Sequence, residues 1–243
     1  MSTDVENLFI SDLHLAPERP DTIARFLGFL SDRARRAGYL YILGDLFDAW
    51  IGDDDDTPPY PEIRAALREL TRGGSICRLL HGNRDFLIGR AFARDTGCSL
   101  LRDATAIQLG PERMLLMHGD RLCTDDLAYQ RFRRRVRNPL VQQLFLWRPL
   151  AKRRAQAAAY RQRSSAANAT KSAAIMDVSQ AAVHQAMRRH RATRLIHGHT
   201  HRPADHVFEL DGRPVVRSVL SEWQPDRGEA LVHDARGWQR EPV

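Results

Sequence analysis

Seven side chains of metal-ligand type, Asp12, His14, Asp45, Asn83, His118, His199 and His201, come from five short polar clusters. The clusters read LFISDLHL, YILGDLFD, RLLHGNRD, MLLMHGD and RLIHGHTH. Carboxylate, amide and imidazole donors without thiolate suit hard or borderline divalent ions such as Mn²⁺ or Fe²⁺, with Zn²⁺ also compatible. Seven donors are too many for one tetrahedral ion. They fit two ions roughly 3.5–4 Å apart that clamp an attacking hydroxide and a phosphoryl oxygen. The amide of Asn83 can hold an ion without adding negative charge that would repel a phosphate. Taken singly, each cluster has an ordinary alternative: Asp45 as a cap, Asn83 as an Asx-turn, HGHTH as surface histidines around a turn. Five such clusters in one chain point to one site.

Each cluster closes an apolar run with the length and residue types of a buried strand, and Gly or a polar turn follows at once. In a packed sheet such strand ends line one rim, where loops carry function on a rigid scaffold. Thr22 to Ala37 and Tyr60 to Arg72 are predicted as crossover helices. Beyond His201, VFEL-DG-RPVVRSVL and EALVHDARGW are predicted hairpin strands that close a sheet.

The 243 residues are 43% hydrophobic and 28% charged, enough for one substantial core with room for an excursion. Residues 1–243 read as a single domain, with no internal repeat and no linker. The acidic N-terminus MSTDVENLFI runs into the first strand, so no secretory signal is expected. No apolar stretch approaches the ~20 residues of a membrane span. Cys77, Cys98 and Cys123 are odd in number and scattered, as expected of reduced thiols in a cytosolic protein. Cys123 reads as a small buried residue rather than a nucleophile.

The net charge of +7 gathers between the fourth and fifth clusters, in residues 124–191. Basic residues crowd from Arg131 to Arg163. Among them lie Leu140, Val141, Leu144, Phe145, Leu146, Trp147 and Leu150, bracketed by Pro139 and Pro149. This segment is predicted as a helical insertion of two or three helices over the rim. A charge run can be a solvated helix face, or it can track a nucleic-acid backbone. With aromatics at 7% and few rings between the arginines, a base-stacking platform is not evident. Basic residues around a Trp-bearing apolar patch better match an element lying on an anionic membrane, or a pocket for acyl chains. Asp53 to Asp56 read as a solvated acidic turn.

The ordered series D-x-H, G-D-x-x-D, G-N-x-D, H-G-D and G-H-T-H, from Asp12 to His201, resembles the calcineurin-like metallophosphoesterase superfamily. The resemblance implies an α+β fold, a two-sheet β-sandwich flanked by helices (αββα), with the insertion as a lid over a dinuclear centre. It implies that Asp12, His14, Asp45 and His201 hold one ion. The bridging Asp45, Asn83, His118 and His199 would hold the other. Asp48 and Asp85 match carboxylates that orient such ligands.

One position departs from the superfamily. Most members read G-N-H-[DE], where the His can protonate a leaving group; here Arg84 follows Asn83. A guanidinium gives up no proton near neutral pH but binds phosphate bidentately. A phosphate leaving group is a weak base and needs little help from an acid. Arg84 therefore favours a pyrophosphate linkage over a simple ester.

The blocks SDLHL, LGDLFDAWIGDD, HGNRDFLIG, LMHGDRLCTDD, SSAANATKSAAIMDV and IHGHTHRP resemble the UDP-2,3-diacylglucosamine pyrophosphatase family of lipid A biosynthesis, which shares the Arg. That resemblance implies hydrolysis to UMP and 2,3-diacylglucosamine 1-phosphate by hydroxide attack on the α-phosphorus, with two Mn²⁺ ions per chain. It implies catalytic roles for Asp45, Asn83, Arg84 and His118. It implies substrate contacts from Asn83, Arg84, Asp126, Ser164, Asn168, Lys171 and His199. Ser164, Asn168 and Lys171 recur at helical spacing, so one helix face would present all three. The expected partners are UDP-2,3-diacylglucosamine and an anionic membrane surface, at the cytoplasmic face of the inner membrane, with no nucleic acid and no obligate protein partner. Two competing readings are a cytosolic phosphodiesterase or nuclease, and a scaffold without catalysis. The intact ligand set weighs against the scaffold.

Overall fold

A computed structural model of the chain describes residues 5–169 and 177–243, without the side chains of residues 165–169. Four strands, β1 (Asn7–Ile10), β2 (Tyr39–Ile42), β3 (Ile76–Leu79) and β4 (Ser99–Leu100), run parallel. They are joined by α1 (Pro20–Asp32), α2 (Tyr60–Arg72) and α3 (Arg90–Thr96). The hairpin β10 (Glu229–Asp234) and β11 (Gly237–Pro242) extends this sheet beyond β1, giving the order β11-β10-β1-β2-β3-β4. A second sheet contains β5 (Thr105–Leu109), β6 (Glu112–Leu116), β7 (Arg194–His197), β8 (Ala204–Leu210) and β9 (Arg213–Val219), in the order β5-β6-β7-β9-β8.

β1 and β2 read as unbroken apolar runs because they are buried on both faces. Alternate residues serve different cores. Leu8, Ile10, Leu40, Ile42 and Leu79 pack under α1, α2 and α3 with Phe26, Leu67 and Phe92. Phe9, Tyr41, Met114, Leu116 and Ile196 meet between the sheets. Full burial of each such side chain contributes roughly 1.5–3 kcal/mol. A third core covers the far face of the second sheet, where Leu115, Leu195 and Val215 receive Val183 and Met187.

Those last two residues belong to α7 (Gln180–His190), which corrects the predicted extent of the insertion. The described residues of 124–191 hold four helices rather than two or three: α4 (Leu127–Val136), α5 (Pro139–Leu146), α6 (Leu150–Ala169) and α7. Only α4, α5 and α6 form the excursion. The apolar side of α7 is the fourth layer of the αββα sandwich, and without it the second sheet would expose a core face. Pro139 opens α5, where its missing N–H costs nothing, and Asn138 caps that helix through Leu140 N at 2.9 Å.

Two smaller expectations also change. The helix predicted over Thr22 to Ala37 stops at Asp32 and tightens into a 3₁₀ turn at Ala34–Arg36. There Arg33 is held by Glu6 and Glu241 at 2.6–2.8 Å. The two C-terminal hairpins close different sheets, because residues 220–228 cross from one to the other. Trp223 anchors that crossing, fully buried edge-on to Phe26 and Phe29.

Asp54 and Asp56 are exposed, as expected of a solvated acidic turn, but the run also makes specific contacts. Asp53 accepts the amides of Gly89 and Phe92 at the start of α3, at 2.9 and 3.0 Å. Asp54 and Asp55 pair with Arg153 and Arg154 of α6. Charge attraction between a basic helix and this acidic turn docks the excursion on the body.

Candidate metal centre

All seven predicted ligands lie within four residues of the C-terminal end of β1, β2, β3, β6 or β7. The parallel pairing of β1 with β2 and β3, and of β6 with β7, sets those ends along one rim of the sandwich. The chain reverses sharply at each. Asp12, His14, Asp45, His199 and His201 have φ between 50° and 68°, the left-handed region that side chains with a Cβ avoid. Each such residue costs of the order of 1–3 kcal/mol, and a packed surround must offset it. Glycines give these turns their room. A Cβ on Gly82 would sit 2.0 Å from Asp45 Oδ1, and one on Gly198 would sit 2.1 Å from Asp12 Oδ2.

The donor atoms converge. Asn83 Oδ1 lies 2.9 Å from both His118 Nε2 and His199 Nδ1. His14 Nε2 and His201 Nε2 face each other at 3.3 Å, and Asp12 Oδ1 lies 3.4 Å from His201 Nε2. Donor atoms of Asp12, His14 and His201 fall within 4.8 Å of one another, and so do those of Asp12, Asp45 and His118. Asp45 Oδ2 stands between the sets, 3.8 Å from both His14 Nδ1 and His118 Nε2. Asp12, His14, Asp45 and His118 are all buried.

Neighbouring groups aim these atoms. His118 Nδ1 is bonded to Leu43 O at 2.9 Å, which turns Nε2 toward the cluster. Asp12 Oδ2 accepts from Ser11 Oγ and His199 N, both at 2.8 Å. Asp12 Oδ1 and His14 Nδ1 are buried without a hydrogen-bond partner. Buried donors and acceptors left unbonded at a convergence of carboxylate, amide and imidazole fit a divalent cation. Asp85 joins two ligand loops, accepting Leu46 N at 2.8 Å and Gly82 N at 2.7 Å. Asp48 pairs with Arg84 and, on α6, with Arg161.

Protonation divides the site. Burial pushes His14 down to about 3 and His199 down to about 4, so both are neutral with a lone pair available. Burial pushes Asp45 up to about 7, with Asp85 and Asp12 adding to the effect. Burial also opposes charge on His201, but Asp12 and Glu222 overcome it and raise the imidazole to about 10. Asp12 is held below the usual carboxylate range, its burial outweighed by His201, His118 and His14.

The remaining predicted residues are distributed unevenly. Arg84 is partly exposed at the mouth, with Nε 3.6 Å from Asp45 Oδ2. Asp126 caps α4 by accepting Tyr129 N at 3.0 Å. Ser164 lies half-buried on α6, the side chain of Asn168 is outside the described residues, and Lys171 is outside them altogether. Sequence reasoning missed three groups. Glu222 stands 3.3 Å from His201 Nδ1, in a segment with no motif to mark it. Asp120 accepts from Tyr129 and Arg133 at 2.8 and 2.6 Å, tying α4 to the loop of His118. Arg137 donates to Gly82 O at 2.7 Å. The two arginines were visible only as members of a charge run.

The chain is similar to several known proteins. Residues 8–203 match the calcineurin-like phosphoesterase family. A UDP-2,3-diacylglucosamine hydrolase of Pseudomonas paraeruginosa is 53% identical over 235 residues, 97% of this chain and 98% of the relative. A UDP-2,3-diacylglucosamine hydrolase of Salmonella arizonae is 53% identical over 216 residues, 89% of this chain and 90% of the relative. Among solved structures, Yfce, a phosphoesterase from E. coli, is 15% identical and covers 95% of this chain and 88% of its own, with a TM-score of 0.47. The chain belongs to the calcineurin-like phosphoesterase family, a family of metal-using hydrolases.

Proposed function

We propose that this hydrolase cleaves the pyrophosphate bond of UDP-2,3-diacylglucosamine, giving UMP and 2,3-diacylglucosamine 1-phosphate. The identity to relatives that carry that substrate in their name supports the reading. The observation that carries it is Arg84. A fixed cation stands at the mouth beside Asp45 and Asp48, where a general acid would serve an ester leaving group.

Two divalent ions, Mn²⁺ in this reading, would be held by Asp12, His14, Asp45 and His201 and by Asp45, Asn83, His118 and His199. When bound, such ions lower the pKa of water and neutralise charge that develops on phosphoryl oxygens. The protein's own groups do the rest. Arg84 binds the β-phosphate and stabilises it as it leaves. His118, fixed by Leu43 O, and His199, fixed through its amide by Asp12, keep their geometry as charge builds. Asp126 and Ser164, with Asn168 and Lys171 beyond the described side chains, would orient the nucleotide and sugar under the lid.

The excursion supports attachment to an anionic membrane at the cytoplasmic face of the inner membrane. Leu140, Leu144 and Trp147 are 75%, 58% and 72% exposed and recur at helical spacing along α5 and its C-cap, amid arginines. No described helix is long and apolar enough to cross a membrane. Nucleic acid is disfavoured, since Arg133, Arg137, Arg153, Arg154 and Arg161 are engaged by acidic or carbonyl partners of the body.

Hydrolysis of UDP-2,3-diacylglucosamine in ¹⁸O-water tests the reaction. The label should enter UMP, as attack on the α-phosphorus requires. Label in the sugar phosphate, or an intact substrate beside rapid cleavage of aryl phosphodiesters, would reject the reading.

A further inference from the structure

Glu222 lies in the crossing from β9 to β10, far in sequence from every ligand cluster. Two backbone bonds fix this crossing to both halves of the site. Leu220 N donates to His197 O at 2.7 Å, at the end of β7. Trp223 N donates to Asp12 O at 3.1 Å, in the loop after β1. Trp223 O in turn accepts from Arg19 at 2.7 Å. Glu222 is held between these anchors, so its position is set by the same contacts that join the two sheets at the rim.

Its carboxylate meets a partly exposed ligand-type side chain, His201. Glu222 Oε2 is 3.3 Å from His201 Nδ1, and Oε1 is 4.0 Å from His14 Nε2. The opposite nitrogen of His201, Nε2, points at Asp12 Oδ1 and His14 Nε2, 3.4 and 3.3 Å away. His201 is 32% exposed and has a left-handed backbone, whereas His118 is fully buried and fixed by a carbonyl. A histidine on the open side of the rim needs another restraint to present one nitrogen inward. A carboxylate on the far nitrogen supplies it, fixing both tautomer and ring orientation and raising ligand basicity.

We propose that Glu222 is a positioning residue for the metal centre, accepting the Nδ1–H of His201 so that Nε2 faces the ion shared with Asp12 and His14. This rests on the dinuclear reading given above. The role is distinct from that of an ordinary rim ion pair, which would influence neither metal affinity nor the tautomer of the ring.

Titration of the metal-free full chain with Mn²⁺ by calorimetry, with ¹H–¹⁵N spectra of the Zn²⁺-loaded protein, tests it. Wild type should bind two ions. Glu222→Ala should weaken one of them by about 10- to 100-fold and leave the other unchanged. In the same variant the Nδ1–H signal of His201 should be lost to exchange. Glu222→Gln keeps an acceptor oxygen and should recover most of the affinity. Two ions bound by Glu222→Ala as tightly as by wild type, with the His201 signal intact, would overturn this role and spare the dinuclear reading. A wild-type protein that binds no Mn²⁺ would overturn both. A Gln variant as weak as the Ala variant would also overturn positioning, since a carboxylate charge rather than an acceptor would then be required.

Discussion

The ligand rim and the helical excursion above it are built on opposite principles. At the rim, five of the seven ligand-type side chains stand on left-handed backbone, and neighbouring groups aim Asp12 and His118. In α4 and α5 no residue is fully buried. Arg133, Arg153, Arg154 and Arg161 instead tie the excursion to carboxylates of the body, and every pair except Arg133–Asp120 leaves one partner open to solvent. Strain at the rim is affordable because close packing leaves the ligands no other position. Exposed ion pairs are individually weak and screened by salt. The rim is thus held by packing, whereas the excursion is joined to it by polar contacts, among them Arg133 to Asp120 and Arg137 to Gly82 O.

The largest test strikes the rim. Asp45→Ala removes the carboxylate that stands between both sets of donors, and kcat should fall by at least about 10³-fold. The fold should hold, because the variant also removes a buried carboxyl whose ionisation is unfavourable. Near-normal turnover with unchanged metal content would break the contrast at its firmer side.

Arg84→His asks whether the mouth needs a fixed guanidinium or a proton donor. We expect kcat/KM on the pyrophosphate to fall by about 10²-fold, with slight gain on an aryl phosphodiester. A His variant as active as wild type would return Arg84 to a passive ion pair with Asp48.

Acidity should loosen metal binding through the rim. Asp45, raised to about 7, and His201, raised to about 10, are both protonated at pH 6, while at pH 8 Asp45 is ionised. Incoming ions must displace these protons. Affinity should therefore fall as pH drops, by at least about tenfold between pH 8 and 6. Calorimetry in buffers of different ionisation enthalpy should show more protons released at pH 6 than at pH 8. Equal proton release at both would contradict the assigned protonation states.

The smallest effect on turnover belongs to the excursion. Within the apolar patch of the excursion, Phe145 is half-buried, whereas Leu144 and Trp147 are exposed. Leu144→Ser with Trp147→Ser should weaken co-sedimentation with anionic liposomes, more so in high salt. Activity should drop a few-fold on long-chain substrate and hardly at all on a short-chain analogue. Equal loss on both, with unchanged liposome binding, would make α5 an ordinary solvated helix.

The metal-type side chains were legible because motif spacing is local: a strand ends, a Gly makes room, and a carboxylate or imidazole follows. Asp12, Asp45 and His118 could be read from a few neighbouring letters each. The layered fold was legible for the same reason, since runs such as LFI and YLYI are apolar without alternation. Long-range partnerships were not. The acidic run Asp53 to Asp56 looked like a turn in water until Arg153 and Arg154, about a hundred positions away, proved to face it. Glu222 carried no signal, because its meaning depends on a crossing between sheets. The last helix, α7, was grouped with the basic insertion since its composition is similar. Only the packing of Val183 and Met187 on the second sheet separates it. Sequence by itself determined which side chains of metal-ligand type this chain has and that they follow strands, because residue type and spacing fix local chemistry and local geometry. Tertiary structure decided which distant charges meet, which helix is a layer and which belong to the excursion, and how Asp12 and His118 are aimed, because those depend on contacts that close only when the chain folds.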